Sequence, residues 1–183
     1  MLDRARSSLL VIDLQEGYRG KLLEEARVVG AAQRLLRAAE ILGLPVLLTE
    51  QYPKGLGATR SEIEEALPAA TERFEKTSFS CLGVPALRAR LRALADAGRD
   101  QVLVVGIETH VCVGQTVHDL VAGRLGVHAA RDAISARFAL EDEAGWAQLV
   151  GAGAIPTSSE AALFQWLRDA RAPEFKAIHE LVV

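Results

Sequence analysis

Residues 101–113 read QVLVVGIETHVCV. The run Gln101 to Val105 is continuous and apolar, the pattern of a strand covered on both faces of a parallel sheet. A glycine turn then delivers Cys112 where a helix begins. Unpaired backbone N–H groups in a first helical turn, together with the positive end of the helix dipole, stabilise a thiolate. The same groups cradle an oxyanion, so one element can supply both nucleophile and oxyanion hole. The plain alternative is that Cys112 is a small buried hydrophobe, as free cysteines commonly are. Attack at neutral pH needs a base or ion-pair partner beside the thiol, and Asp13 and Lys76 are the candidates.

Outward from this segment the chain alternates. Leu9–Ile12 is a first apolar strand ending at Asp13. From Glu24 to Leu42, Val28, Ala32, Leu35, Leu36, Ala39 and Leu42 recur at helical spacing, and Gly43 is a stop signal. Pro45–Thr49 is strand two. Glu50–Ser80 is largely an irregular excursion, with a short acidic helix around Ser61–Leu67 and a third strand around Phe74–Phe79. Pro85–Ala97 is a helix closed by Gly98; strand four is Gln101–Val105, and helix Val111–Val121 follows. Val127–Ala130 is strand five, closed by Arg131 and Asp132. Helix Glu141–Val150, strand Ala154–Thr157, helix Ser158–Ala170 and a helical tail over Glu174–Val183 complete the chain.

This alternation predicts an α/β fold: a doubly wound, Rossmann-like, six-stranded and mainly parallel sheet in the order 3-2-1-4-5-6, with helices on both faces. Strands one and four are neighbours where the winding reverses, and ligands bind in the crevice beyond their carboxyl ends. Asp13 and Cys112, far apart in sequence, meet there. The turn after strand one, DLQEGYRG, lacks the G-x-G-x-x-G fingerprint, which argues against a dinucleotide.

Composition narrows the function further. At 183 residues and 19.7 kDa, residues 1–183 are expected to form one domain. Half the residues are hydrophobic and the net charge is -3, so neither disorder nor a nucleic-acid surface is expected. Two cysteines are too few for a disulfide framework, and a reducing cytoplasm is the expected location. No apolar stretch approaches the roughly 18 to 20 residues that span a bilayer, so no membrane partner is expected.

LLVIDLQ (Leu9–Gln15), FEKTSFS (Phe74–Ser80) and VVGIETHVCVGQT (Val104–Thr116) stand in the order and approximate spacing of the isochorismatase-like cysteine hydrolases, and the chain resembles that family over nearly its whole length. TEQYPKGLG (Thr49–Gly57) and TSSEAALFQWLRDA (Thr157–Ala170) are most similar to the isochorismatase-domain-containing subgroup. The resemblance implies that Asp13, Lys76 and Cys112 form a catalytic triad. Asp13 would take the thiol proton and return it to a leaving nitrogen, Lys76 would supply positive charge, and a C–N bond of an amide-like or carbamoyl small molecule would break through an acyl-enzyme. It also implies a cis peptide between Ile107 and Glu108, which would aim the Glu108 and Cys112 N–H groups at one oxyanion. No cofactor is implied, and assembly as a homo-oligomer, from dimer to octamer, is.

Departures from the family pattern are informative. Nicotinamidases carry Asp-x-His and a second histidine after strand two, where this chain reads EQYPKGLG, so no metal is expected. Glu108 replaces a small residue of the nicotinamidases, and its carboxylate either points away or narrows the pocket. Tyr18, Gln51 and Tyr52, in the loops after strands one and two, and His110, beside the nucleophile, are candidate pocket walls; plain packing or solvent contact is the alternative for each. Cys81 reads as a bystander. Two other functions stay open: vinyl ether hydrolysis of the isochorismate type, by acid catalysis from the aspartate, and a silent binding or scaffold protein. The substrate is not legible.

Overall fold

The apolar runs become strands because each is buried from two sides. In the computed structural model, which describes residues 1–183, the chain runs β1 (Ser7–Ile12), α1 (Glu25–Leu42), β2 (Val46–Gln51), α2 (Pro53–Leu56), α3 (Ser61–Glu64) and β3 (Glu72–Lys76). It continues through α4 (Pro85–Asp96), β4 (Gln101–Ile107), α5 (Gly114–Ala122), β5 (Gly126–Ser135), α6 (Ala139–Gly151), β6 (Ile155–Thr157), α7 (Ser159–Leu167) and α8 (Phe175–His179). The sheet order is β3-β2-β1-β4-β5-β6, and every pairing is parallel.

Successive side chains of a strand face opposite ways, and each way here meets helices. Leu9 and Val11 of β1 and Leu103 and Val105 of β4 pack on Leu35 and Leu36 of α1 and on Leu163 and Trp166 of α7. Leu10, Ile12, Val102 and Val104 face Leu91 of α4, Val117 of α5 and Leu149 of α6. Burying one such side chain contributes about 1.5–3 kcal/mol, which explains why Leu9–Ile12 and Val102–Val105 are apolar toward both faces. Gly43 ends α1 with φ 67, its N–H donating to the Ala39 and Glu40 carbonyls.

The carboxyl ends of β1, β2 and β4 are level, Ile12 standing opposite Thr49 and Gly106. The approach is close: Gly106 has φ +124, and a Cβ there would lie 2.1 Å from the Ile12 carbonyl oxygen. Only glycine fits, and Asp13 leaves the sheet at that point. No helix is long and apolar enough to cross a membrane.

Several boundaries differ from the sequence reading for identifiable reasons. β3 ends at Lys76 and not Phe79, because Phe74, Glu75 and Lys76 pair with Thr49, Glu50 and Gln51 and the chain then turns back on the lysine. β5 runs past Arg131 and Asp132 to Ser135, since both charges find partners: Asp132 accepts from Ser159 N and Oγ, and Arg131 pairs with Asp142. Arg168, with φ 64, stops α7 short of Ala170, and the tail carries only the brief α8. A π-helical turn over Thr109–Val113 precedes α5, so Cys112 lies inside that turn and not at an α-helical start.

His128 on β5 is 2% exposed and its Nδ1 has no partner, so burial lowers its pKa to about 4 from an ordinary value near 6.5. A depressed folded pKa gives stability that is complete above about pH 6.5 and lost as pH falls, because the unfolded chain takes the proton first. The expected loss approaches about 1.4 kcal/mol per pH unit, or roughly 2 kcal/mol between pH 6.5 and 5. Urea midpoints at pH 7.5 and 5 for the wild type and His128→Leu check this. An equal acid loss in both proteins would reject it.

Candidate active site

Asp13 follows β1 directly and adopts φ 55, a left-handed conformation that aspartate tolerates better than most residues. Its carboxylate turns inward, where Thr49 Oγ1 donates to Oδ1 at 2.7 Å and Lys76 Nζ donates to Oδ2 at 2.6 Å. The Asp13 and Lys76 side chains are 2% and 0% exposed.

Lys76, the last residue of β3, reaches across β2 to this carboxylate. Its ammonium also donates to Gln51 Oε1 at 2.7 Å and faces the carbonyls of Phe79 and Ser78 at 3.1 and 3.3 Å. Burial alone would lower its pKa; the Asp13 carboxylate, followed by the two thiols, raises it more, and the net shift is upward. Lys76 is therefore an ammonium at neutral pH with its three N–H bonds committed inside the protein.

Gln51 is fixed in turn. Its backbone N–H donates to Gln15 Oε1, and Gln15 Nε2 donates to the Gln51 and Gly57 carbonyls, tying β2 to the loop after β1. Gln51 Nε2 donates to Thr77 O, which leaves Oε1 facing Lys76. Cys112 Sγ stands 4.0 Å from that oxygen and is 6% exposed. Burial pushes the Cys112 thiol well up, the Asp13 carboxylate pushes it further, and Lys76 offsets only part. The resting group is a thiol beside a carboxylate, where the sequence reading expected a thiolate; burial and the neighbouring anion outweigh whatever the helical turn supplies.

The turn that carries Cys112 is held from below. Val111 and Val113 N–H both donate to the Glu108 carbonyl, at 3.0 and 3.2 Å. Thr109 Oγ1 donates to Asp142 on α6, and Asp142 also receives Arg131, whose guanidinium lies 5.0 Å over the Trp146 ring. Gly145 lets α6 approach, since a Cβ there would lie 2.8 Å from His110 N. Single π-helical turns of this kind are frequent at functional sites.

The Ile107–Glu108 peptide is cis. The Glu108 carboxylate is buried and turned toward Arg137, the second residue past β5, whose backbone N–H and Nε both donate to Oε1. Tyr18 is half-buried. Its phenol pKa is raised by burial, then by the Glu108 carboxylate and the Cys112 thiol.

The remaining candidates fall elsewhere. Tyr52 is 54% exposed with its ring over Gly55, and it borders a cleft of about 380 Å³ at the sheet edge that is lined also by Pro53, Lys54, Glu75, Lys76 and Thr77. His110 turns toward α6, where Nε2 lies 3.9 Å from Glu141. Cys81 is fully buried behind Asp13, its Sγ 3.7 Å from Thr49 Oγ1, and burial and the Asp13 charge push its thiol up to about 11. Thr49, Gln15, Asp142 and Arg137 were not singled out from sequence. Gln15 lies within a quoted motif, but Arg137 has no local signal. No three His, Cys, Asp or Glu side chains converge in a way that would hold a metal ion.

A family model, the isochorismatase domain, matches residues 7–161. The chain is 38% identical over 181 residues to isochorismatase domain-containing protein 1 of Danio rerio, an alignment covering 99% of this chain and 62% of that protein. It thus spans less than two thirds of that relative's length. It is 37% identical over 177 residues to isochorismatase domain-containing protein 2 of Danio rerio, covering 96% and 86%. Among solved structures it is similar to the MAR1 ribonuclease of Caenorhabditis elegans, with a TM-score of 0.93, 37% identity, and coverage of 99% and 91%.

Proposed function

The chain belongs to the isochorismatase family, and on that premise we propose that it is a cysteine hydrolase cleaving a C–N bond of a small amide or carbamoyl compound. One observation carries this reading: the Asp13–Lys76 ion pair, at 2.6 Å and out of contact with water, lies against the Cys112 site. Desolvating two charges costs several kcal/mol per ion, and a buried pair is weak support for stability as such. Beside a thiol, the same pair is the acid–base partner that the thiol needs.

In the cycle, Asp13 accepts the thiol proton as Cys112 Sγ bonds to the carbonyl carbon. The carbonyl oxygen becomes an oxyanion facing the backbone N–H groups of Glu108 and Cys112. Collapse breaks the C–N bond, and Asp13 returns the proton to the departing nitrogen. Water then adds to the thioester, giving its proton to Asp13; release of the acid restores the thiol. Lys76 moves no proton. Its charge balances the Asp13 carboxylate and the Cys112 sulfur in turn.

The screen that tests this reading measures ammonia or amine release from primary amides, ureas and carbamoyl compounds, with rapid-quench mass spectrometry of the Cys112 peptide. Turnover with a transient acyl mass on Cys112 is expected. A hydrolysed substrate that leaves no adduct, and is still turned over by Cys112→Ala, would shift the assignment to acid catalysis by Asp13, as in vinyl ether hydrolysis. RNA cleavage, the activity named for the C. elegans neighbour, draws less support from this chain, whose net charge of -3 gives no overall attraction for phosphates.

A further inference from the structure

A lysine ammonium has three N–H bonds, and four acceptors surround that of Lys76. Asp13 Oδ2 and Gln51 Oε1 are nearest, at 2.6 and 2.7 Å, and the Phe79 and Ser78 carbonyls share the third N–H at 3.1 and 3.3 Å. None is left for the Cys112 sulfur. Gln51 Oε1 meets both groups instead: it accepts from Lys76 Nζ and lies 4.0 Å from Cys112 Sγ, the outer limit of a sulfur hydrogen bond. An amide oxygen has two lone pairs and can serve both donors. Sheet register puts Gln51 there, since it ends β2 directly opposite Lys76 of β3 and residues paired across strands face the same way. Its amide can stand only one way. Nε2 donates to Thr77 O at 2.9 Å, and the reverse orientation would set N–H groups against the ammonium and one carbonyl oxygen against another. Gln15 holds the backbone, accepting from Gln51 N at 2.7 Å and donating to Gln51 O at 3.0 Å.

We propose that Gln51 is a positioning residue for the nucleophile: its side-chain carbonyl holds one Lys76 N–H off the sulfur and accepts from the thiol, so that resting Cys112 keeps its proton until Asp13 takes it during attack. The assignment rests on Cys112 being the nucleophile. It makes Gln51, a candidate pocket wall in sequence, a residue that acts through Lys76 and the thiol without touching substrate. A free thiolate would react with any oxidant or alkylating agent that entered the crevice, whereas a thiol held in this way is spared. The titratable groups around the Lys76–Cys112 pair are Asp13 after β1, Tyr18 in the loop that follows, and Cys81 before α4, while His110 turns away toward Glu141. All of them stay in place when Gln51 alone is replaced.

The test uses two replacements of similar size, with iodoacetamide as the probe and alkylation of Cys112 at pH 8 read by peptide mass spectrometry. Gln51→Met removes the acceptor and frees an N–H for the sulfur, so the rate should rise at least about tenfold over the wild type. Gln51→Glu keeps the acceptor for Lys76 but sets a negative charge beside the sulfur, so the rate should fall at least about threefold. A packing role would move both variants in one direction or neither, and either result overturns the assignment. A second readout needs no reagent to enter: the infrared S–H stretch of Cys112, isolated by subtracting the spectrum of Cys112→Ala, should lie below that of an unbonded thiol in the wild type and should rise or vanish in Gln51→Met. A wild-type band at the unbonded position, or one that Gln51→Met leaves unmoved, overturns the assignment as well, and this band decides if iodoacetamide reaches Cys112 in none of the proteins. The nucleophile reading fails separately, through turnover by Cys112→Ala, which leaves the hold of Gln51 on the thiol intact.

Discussion

Cys112→Ala is expected to lower kcat by about 10⁴-fold or more, the scale on which removal of a covalent nucleophile is felt, while urea midpoints stay near those of the wild type. The two readouts separate because the one hydrogen-bond contact recorded for Sγ is long, 4.0 Å to Gln51 Oε1, whereas the turn around it is fixed by backbone bonds to Glu108 and by Thr109 on Asp142. Asp13→Asn should be nearly as severe for a different reason: the amide preserves the shape but cannot take the thiol proton. The thiol's raised pKa sets a further expectation. Without substrate, labelling of Cys112 by iodoacetamide should be slow at pH 7 and accelerate as pH rises beyond the ordinary thiol range. A Cys112→Ala enzyme that keeps more than a few per cent of wild-type turnover would remove the covalent mechanism.

The topology was legible because it follows from local rules. Apolar runs at Leu9–Ile12 and Gln101–Val105, the helical periodicity of Val28 to Leu42, and the Gly43 and Gly98 stops each speak for themselves, and the right-handed crossover rule orders what they imply. Pairing of Asp13 with Cys112 followed from that order, whereas Lys76, a candidate ion-pair partner from the outset, was tied to the other two only by the resemblance of FEKTSFS to the family motif. Less legible were features set by tertiary contacts. β5 passes Arg131 and Asp132 only because Asp142, Ser159 and Arg34 wait for those charges. The partner of Glu108 is Arg137, which no motif connects to the nucleophile. Cys112 looked like a helix-terminal thiolate in sequence, yet its depth and the adjacent carboxylate, properties of the folded crevice alone, decide its protonation. Sequence spacing names chemical groups more readily than the field in which they sit.

Lys76→Met should be the most damaging substitution in the chain, acting on activity and fold together. Methionine fills the space of the lysine stem but leaves the Asp13 carboxylate buried without its cation, and breaking one partner out of a buried pair costs about 3–5 kcal/mol. Gln51 Oε1 and the Phe79 and Ser78 carbonyls, all now served by Nζ, would lose their donor as well. The double variant Asp13→Asn/Lys76→Met removes the charge that causes most of this cost. It should recover at least about 2 kcal/mol of the single variant's loss in urea unfolding, because replacing both members of a buried pair is far cheaper than removing one. Both proteins should be inactive, so stability is the informative readout. Additive losses would mean that Lys76 matters through packing and its bonds to Gln51 and the carbonyls, and that the charge on Asp13 is balanced by something other than this ammonium. Recovery in the double variant would instead tie fold and chemistry to the same ion pair, making the cost of holding Asp13 charged in the dry crevice the reason that this strand end carries a lysine.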